Sequence, residues 1–212
     1  MPVKKNYVSN NVIRRLPRYL RKLDELLAAD TERISSSELG RQMGLTPSQI
    51  RQDFSCFGEF GQQGYGYNVA ALRQEIAHIL GMDRDYTGVL VGTGRIGQSL
   101  IENFDFHRFG FRLVSAFDIR PELVGTEIAG VPILSSATLT DFVREHSIDM
   151  AILSVDRNRA QVITDQLVGA GVKAIWNFTD REVDPGRSGV VIENIHFSDS
   201  LLALSYYLSE RE

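Results

Sequence analysis

Apolar residues near the amino terminus recur every three or four positions. They are Leu16, Leu20, Leu23 and Leu27. This period predicts an amphipathic helix over about 16–29. Pro17 fits the first turn of that helix, where a backbone N–H is not required.

Two shorter helical segments follow the first. Ser35 and Glu38 have the spacing of a capping box, which predicts a helix over about 36–43 that ends at Gly44. Thr46-Pro47 then starts a second helix, because Thr caps a helix and Pro is accepted at its first position. The apolar face of this second helix is Ile50, Phe54 and Phe57. Two short helices around a tight turn, preceded by a longer helix, are typical of a helix-turn-helix.

Glycines and aromatic residues are interleaved over 59–69, which predicts a short β-hairpin. After a helix-turn-helix, such a hairpin is a wing that can touch the minor groove or the backbone of DNA. A further amphipathic helix is predicted over 69–80. The polar stretch 82–85 is then the predicted domain boundary.

Beyond residue 85 the chain alternates between apolar strands and amphipathic helices. The strands are predicted at 87–92, 112–118, 149–155, 173–178 and 190–195, and the helices at 95–103, 138–146 and 158–170. This alternation requires a mainly parallel sheet with right-handed crossovers, and therefore an α/β fold. We predict a winged helix-turn-helix domain over 1–83, a Rossmann-like domain over 84–195 and a carboxy-terminal helix within 196–212.

The first strand of the second domain leads into Gly92-Thr93-Gly94-Arg95-Ile96-Gly97. Between a strand and a helix, this G-x-G-x-x-G pattern is typical of dinucleotide binding. Gly92 allows the tight turn, Gly94 lets a pyrophosphate approach and Gly97 lets helix and strand pack closely. The phosphates would bind the free N–H groups of the helix N-terminus. The whole motif, from Gly92 to Gly97, is therefore the predicted cofactor loop.

Asp118 ends the next strand, 21 residues after Gly97. A carboxylate at this place can accept hydrogen bonds from both ribose hydroxyls, which favours NAD over NADP. The alternative interpretation is a glycine-rich turn of an α/β sheet that binds no ligand.

The net charge of −4 conceals an uneven distribution. Residues 1–22 hold seven basic side chains and no acidic one, and a basic arm on an acidic body predicts contact with a polyanion. The sequence has no 18-residue apolar run and no signal-peptide segment, and its single cysteine excludes an internal disulfide. The four histidines lack metal-ligand spacing. We expect a cytoplasmic protein with no membrane contact and no bound metal.

Three sets of side chains are predicted to contact double-stranded DNA. They are Arg14, Arg15 and Arg18 in the first helix, Ser48, Gln49, Arg51, Gln52 and Ser55 in the second short helix, and Gln62, Gln63 and Tyr65 in the wing. Arg51 is the predicted base reader, because a guanidinium matches guanine O6 and N7. Gln49 has a second interpretation as part of a capping box with Thr46. For the basic residues of the first helix, the alternative is a solvated face.

Six segments together resemble the Rex family of bacterial redox-sensing transcriptional repressors. They are Phe54–Gly58, Gly64–Val69, Gly92–Gly97, Ala116–Asp118, Gly125–Pro132 and Trp176–Thr179. The resemblance extends from about residue 12 to 209 with few gaps. It implies a homodimer that binds operator DNA through winged helices and releases it when NADH occupies the Rossmann domains.

The resemblance also implies that the carboxy-terminal helix crosses to the partner subunit and brings Phe197 near the nicotinamide bound there. The alternative is that this helix packs on its own domain. Together with Val155, Phe197 would form an apolar pocket that favours NADH, because the NAD⁺ cation would be desolvated without a carboxylate nearby. The chain departs from the family at Gln52, Gln62 and Gln63, where basic residues are common. It also has His196 where many relatives have an aspartate.

Two other functions remain open. One is a winged-helix regulator that senses coenzyme A or another nucleotide. The other is an NAD-dependent dehydrogenase with an accessory amino-terminal domain. Such an enzyme needs a proton donor or acceptor beside the nicotinamide, and His146, His196 and Lys173 belong to no recognisable catalytic pattern. We therefore expect a repressor that is not an enzyme, has no protein substrate and uses NADH and NAD⁺ as regulatory ligands.

Overall fold

The computed structural model describes residues 8–58, 60 and 65–210. They belong to two compact units, Met1–Asp83 and Arg84–Glu212. The first unit contains α1 (Asn10–Ala28), β1 (Arg33–Ile34), α2 (Ser36–Met43), α3 (Pro47–Ser55), β2 (Tyr67–Asn68) and α4 (Val69–Ile79). Among the described helices, none has both the length and the apolar character needed to cross a membrane.

Helix α1 begins earlier than its leucine spacing predicted. The Ser9 side chain accepts a hydrogen bond from the Val12 N–H and caps the helix at Asn10. Pro17 therefore lies inside the helix, at an exposed position, and not in the first turn. The buried leucines of α1 are Leu16, Leu20, Leu23 and Leu26. Leu27, which was expected in this stripe, is exposed because Leu26 takes its place toward the core.

Helix α2 has both bounds that its capping residues predict, and α3 begins where its cap predicts but ends at Ser55, so Phe57, predicted on its apolar face, lies beyond the helix. The Ser35 hydroxyl accepts from the Glu38 N–H at 3.1 Å, and Gly44 ends α2 in the left-handed conformation with φ of 69°. Thr46 caps α3 by accepting from the Gln49 N–H at 3.1 Å. Local side-chain to backbone hydrogen bonds therefore set both helices of the helix-turn-helix.

The short strand β2 pairs with a strand outside the predicted hairpin. Tyr67–Asn68 pairs antiparallel with Arg33–Ile34 of β1, which precedes α2. The hairpin within 59–69 stays a prediction. Residues 59 and 61–64, which include Gln62 and Gln63, lie outside the described residues. Burial explains the pairing, because Ile34 and Tyr67 both enter the core formed by α1, α3 and α4.

The second unit is a seven-stranded sheet with helices on both faces. Its elements are β3 (Tyr86–Val91), α5 (Arg95–Asn103), β4 (Phe111–Asp118), β5 (Glu127–Ile128), β6 (Val131–Ser135), α6 (Leu139–Glu145), β7 (Met150–Leu153), α7 (Arg157–Ala170), β8 (Ala174–Asn177), β9 (Val191–Asn194) and α8 (Phe197–Ser209). The strand order is β5-β6-β4-β3-β7-β8-β9, and only β5 runs antiparallel to its neighbour. The order reverses between β3 and β7, which is where doubly wound sheets bind ligands.

Alternate residues of the central strand supply two separate cores. Val89 and Val91 face one apolar cluster, whereas Leu90 faces the other, and all three are almost completely buried. A parallel strand covered on both faces needs such a continuous apolar run. The hydrophobic pattern did not predict β5 and β6, whose turn at Ala129-Gly130 has positive φ at both residues.

Helix α8 buries none of its residues in its own chain. Its large apolar side chains are 54 to 67% exposed. They are Phe197, Leu201, Leu202, Leu204, Tyr206, Tyr207 and Leu208. The alternative that α8 packs on its own domain is therefore wrong for this structure.

Candidate functional site

The glycine loop between β3 and α5 depends on glycine at two crowded positions. Gly92 has φ of 96°, and a Cβ there would lie 2.5 Å from the Ser154 carbonyl oxygen. A Cβ on Gly97 would lie 2.1 Å from the Gly92 carbonyl oxygen. Both distances are too short for any side chain. These two glycines therefore allow the close packing of loop, strand and helix that the motif predicts.

Gly94 lies in open space and is the N-cap residue of α5. Its backbone is extended, and it provides no side-chain cap for the N–H groups that follow it. The first N–H groups of a helix have no acceptor within the helix, so they are directed toward an incoming anion. Arg95 and Ile96 occupy the first helical positions and are exposed. This arrangement suits a phosphate group approaching over Gly94.

Ser154 positions this loop, although no sequence motif marks it. Its hydroxyl donates to the Gly92 carbonyl oxygen at 2.6 Å, and its N–H donates to the Val91 carbonyl oxygen at 2.9 Å. Ser154 follows β7, the strand beside β3 at the point where the strand order reverses. That placement depends on which strands are neighbours, which a single sequence does not reveal.

Asp118 lies at the carboxyl end of β4 and is held against the glycine loop. Its Oδ2 accepts from the Thr93 N–H at 2.9 Å and from the Thr93 hydroxyl at 2.6 Å. The Arg120 guanidinium donates to both carboxylate oxygens at 2.9 Å. The Arg120 guanidinium, together with Thr93, holds the pKa of Asp118 well below its usual range despite partial burial. The carboxylate is therefore ionised at neutral pH.

Two clefts open beside the loop and share residues that follow β7. The first cleft, of about 260 Å³, contains Gly92, Gly94, Asp118, Arg120 and Ser136. The second, of about 500 Å³, contains Ile96, Val155, Phe178, Thr179 and Phe197. Val155 lines both. The structure thus brings all the predicted cofactor residues to the loop or to one of these two clefts.

The second cleft is not free of carboxylates, contrary to the expectation from sequence. Asp156 and Asp180 both line it. Arg157 lies 3.6 Å from the Asp180 carboxylate and pairs with it at the surface. The expectation that no carboxylate lies near Val155 and Phe197 is therefore wrong. Asp156 caps α7, and Asp180 follows β8, so only the sheet topology places the two together.

Arg15 in the first unit does not have the free side chain that a phosphate contact requires. Its Nε and Nη2 donate to the two oxygens of Asp53 at 2.7 Å each. The Tyr19 hydroxyl donates to the same carboxylate at 2.7 Å. Burial, together with the hydrogen bond to Asp53, raises the pKa of Tyr19. Arg15 therefore joins α1 to α3, and the DNA contact predicted for it stays a prediction.

The predicted DNA-contacting residues of α3 form one exposed face. Ser48, Arg51, Gln52 and Ser55 are exposed and Gln49 is half-buried. The Arg51 guanidinium donates to the Ser36 hydroxyl at 2.9 Å, which directs it along the start of α2. The Ser55 hydroxyl donates to the Gln52 carbonyl oxygen at 2.8 Å. Asp53 and Phe54 are turned into the core instead.

The other predicted DNA contacts are exposed where the structure describes them. Arg14 and Arg18 lie on the outer face of α1, and the Arg18 guanidinium donates to the Met43 carbonyl oxygen at 3.4 Å. Tyr65 is exposed, and its carbonyl oxygen accepts from Arg33 at 3.3 Å. Gln62 and Gln63 lie outside the described residues.

Two known protein families match separate parts of the chain, one in each unit. Residues 7–55 match the family described as "Putative DNA-binding protein N-terminus". Residues 83–181 match the family described as "CoA binding domain".

Curated relatives cover almost the whole chain. The redox-sensing transcriptional repressor Rex of Caldicellulosiruptor bescii is 48% identical over 98% of this chain and 95% of its own. The protein of the same name from Clostridium beijerinckii is 48% identical over 97% of both chains. That from Clostridioides difficile is 46% identical over 96% of both chains.

Solved structures also match almost the whole chain. A crystal structure of RSP in complex with beta-NAD⁺ and operator DNA has a TM-score of 0.91 at 47% identity, covering 97% of this chain and 94% of that one. A structure of RSP in complex with beta-NADH has a TM-score of 0.90 at 44% identity, covering 97% and 96%.

Proposed function

Because this chain belongs to the Rex family of redox-sensing transcriptional repressors, we propose that it represses transcription by binding operator DNA and that NADH releases it. The observation that carries this proposal is the joint presence of two sites. The first unit exposes the outer face of α3, and the second unit holds a carboxylate beside a glycine loop. We place this activity in the cytoplasm, where NADH, NAD⁺ and DNA are available together.

The dinucleotide spans the two clefts on either side of the glycine loop. The adenosine ribose binds at Asp118, the pyrophosphate binds over Gly94 at the start of α5, and the nicotinamide enters the cleft of Val155 and Phe197. Coenzyme A is the second candidate ligand, favoured by the family match of residues 83–181. Separate calorimetric titrations with NADH, NAD⁺ and coenzyme A decide between them. Saturable binding of coenzyme A alone would contradict the proposal.

The nicotinamide cleft must distinguish a cationic ring from a neutral one. Arg157 offsets the charge of Asp180, which leaves Asp156 as the carboxylate that stabilises the cation of NAD⁺. We expect Asp156→Asn to weaken NAD⁺ binding more than NADH binding, by roughly threefold, as for an exposed charge pair. Asp165→Asn, on the same helix but outside both sets of cleft-lining residues, is the matched control. Equal changes for the two ligands would contradict this role of Asp156.

Repression rests on Arg51 reading a base and on exposed cations of α1 holding phosphates. A duplex selected by this protein from a randomised pool provides the operator for the test. Arg51→Ala is expected to lose about 1–3 kcal/mol and to relax discrimination at one base pair. Arg18→Ala should weaken binding to all sequences alike and reduce the salt slope by about one. Sequence-independent losses from both variants would make Arg51 a phosphate contact.

The protein acts as a homodimer, which the apolar helix α8 supports. A helix that exposes apolar side chains on every face needs a partner surface. In the proposed dimer, α8 crosses to the other subunit, while Phe197 at its start lines the second cleft of its own chain. Leu201→Glu with Leu208→Glu is expected to give monomers in sedimentation experiments, whereas Ser198→Glu is not. Dimers that persist in the double variant would contradict this role of α8.

The NADH bound here acts as a signal and is not consumed. This follows the relatives, which carry the names of repressors and not of dehydrogenases. NADH must favour the state that cannot bind DNA by about 5.5 kcal/mol to change a 99:1 population into 1:99. Two sites in a dimer share that requirement. Operator release measured by fluorescence anisotropy against NADH concentration tests it, and the NADH absorbance should remain constant throughout.

A further inference from the structure

The Asp118 carboxylate is already fully engaged by protein donors. A carboxylate offers about four lone-pair positions. Asp118 accepts hydrogen bonds from the Thr93 N–H, the Thr93 hydroxyl and the Arg120 N–H, and two more from the Arg120 guanidinium. The two hydroxyls of a ribose cannot be added to this set. One pair of donors must leave before a dinucleotide can use the carboxylate.

The guanidinium is the one group that can withdraw two donors at once. The Thr93 N–H belongs to the glycine loop, and the Arg120 N–H is fixed two residues along the chain from Asp118. The Arg120 guanidinium also donates to the Thr93 carbonyl oxygen at 2.9 Å, but the side chain is 45% exposed and can rotate into solvent. It donates one hydrogen bond to each carboxylate oxygen, so it presents the same two-donor pattern as a ribose 2′,3′-diol.

From this geometry we propose that the Arg120 guanidinium competes with the ribose diol of the adenine dinucleotide for Asp118, and that it thereby sets both affinity and the choice between a 2′-hydroxyl and a 2′-phosphate. The inference rests on the proposed function, because it concerns the same cleft. Arg120 acts as an internal ligand that every dinucleotide displaces. A 2′-phosphate cannot donate to a carboxylate and is repelled by it, so removing Arg120 gives it no comparable advantage.

The test is calorimetric titration of the full-length protein and its Arg120→Ala variant. The variant should bind NADH, NAD⁺ and ADP-ribose roughly 3- to 10-fold more tightly, as expected when a partly exposed ion pair no longer competes. Affinity for NADPH should stay the same or fall, so selectivity against the 2′-phosphate should increase. The gain with ADP-ribose, which lacks nicotinamide, places the effect in the adenosine half of the site.

Three further variants separate competition at Asp118 from a general effect of charge in the cleft. Arg159→Ala removes a positive charge from the same cleft and should not tighten binding. Arg120→Lys keeps the charge but loses the two-pronged geometry, so its affinity should lie between those of the wild type and Arg120→Ala. With Asp118→Ala in place, Arg120→Ala should bring no gain, because the competition needs the carboxylate. Thermal unfolding followed by circular dichroism checks that each variant is folded.

Opposite results overturn the inference. Weaker NADH binding by Arg120→Ala, restored by Arg120→Lys, would make Arg120 a direct contact of the dinucleotide. An unchanged affinity for NADH would show that the ion pair does not compete. In either case, wild-type binding of NADH leaves the proposed function standing. A wild-type protein that binds neither NADH nor NAD⁺ would overturn both.

Discussion

Two arginine–aspartate pairs with nearly the same geometry occur in the two units, and they have different consequences. Arg15 donates two hydrogen bonds of 2.7 Å to Asp53, and Arg120 donates two of 2.9 Å to Asp118. Both carboxylates are almost completely buried. The arginines differ, because the Arg15 side chain is 19% exposed and that of Arg120 is 45% exposed.

The position of each pair in the chain decides what breaking it would do. Arg15 and Asp53 are 38 residues apart, so their pair joins α1 to α3 across the core. Asp118 and Arg120 are two residues apart, and their pair contacts the glycine loop through Thr93, whose carbonyl oxygen accepts from the Arg120 guanidinium at 2.9 Å. A buried pair between distant elements contributes to stability, whereas a local pair in a cleft can be exchanged for a ligand. The chemistry of the two groups alone does not distinguish these cases.

The largest expected effect is on folding of the first unit. Arg15→Ala leaves Asp53 buried without its cation and should lower the free energy of unfolding by about 3–5 kcal/mol. Urea unfolding followed by circular dichroism measures the loss. Arg18→Ala, one helical turn along and exposed, is the matched control and should change little. If Arg15→Ala kept its unfolding midpoint but lost DNA affinity, Arg15 would be a phosphate contact after all.

The second largest expected effect is a loss of dinucleotide binding by the second unit. Asp118→Ala removes the acceptor of both ribose hydroxyls, so NADH and NAD⁺ should bind more weakly by about the same amount, roughly 2 kcal/mol. Calorimetric titration measures both affinities. Asp141→Ala, at an exposed position of α6, serves as the control. A loss confined to one redox state would move Asp118 away from the ribose.

A smaller loss of stability is expected when the Tyr19 hydroxyl, which donates to Asp53, is removed. Tyr19→Phe removes one hydrogen bond to the Asp53 carboxylate but leaves Arg15 in place. The free energy of unfolding should fall by about 1–2 kcal/mol, since the lost bond has a charged acceptor. Tyr207→Phe in the exposed helix α8 should be neutral by comparison. A loss as large as that of Arg15→Ala would mean that removing the Tyr19 hydroxyl also breaks the pair between Arg15 and Asp53.

The smallest effect is that of Arg120→Ala on stability, and it depends on pH. Because the pKa of Asp118 is lower in the folded state, the pair contributes stability above the unfolded pKa of about 3.9. That contribution is lost as the pH falls below this value. The difference in Tm between wild type and Arg120→Ala should therefore be present at pH 7 and shrink below about pH 4. A difference that grew in acid would contradict the assigned pair.

Local patterns in the sequence were sufficient to predict several elements. Ser35, Gly44 and Thr46 predicted both bounds of α2 and the start of α3, because caps act on backbone groups within three or four residues. The glycine motif and Asp118 were likewise predicted at the ends of neighbouring strands. Local patterns were not sufficient where the partner is distant in the sequence, as for β2, which pairs with β1.

The role of Arg15 likewise depends on a partner that is distant in the sequence. In the sequence it is one of several arginines on a basic helix, and nothing nearby marks it as different. Its aspartate lies on α3, and the helix packing alone turns both side chains inward. Asp156 and Asp180 are similar, since they meet in the second cleft only because β7 and β8 are neighbours.

Sequence alone determined the two-part organisation, the capped helices, the glycine loop and the family, because each depends on residues close together or on a pattern along the chain. Tertiary structure alone decided which arginine is structural and which cations remain exposed. It also decided that the second cleft contains carboxylates and that the Asp118 carboxylate is already paired with Arg120. The physical reason is that a charge acquires its role from its burial and from its partner. Both are set by the packing of elements that the sequence separates.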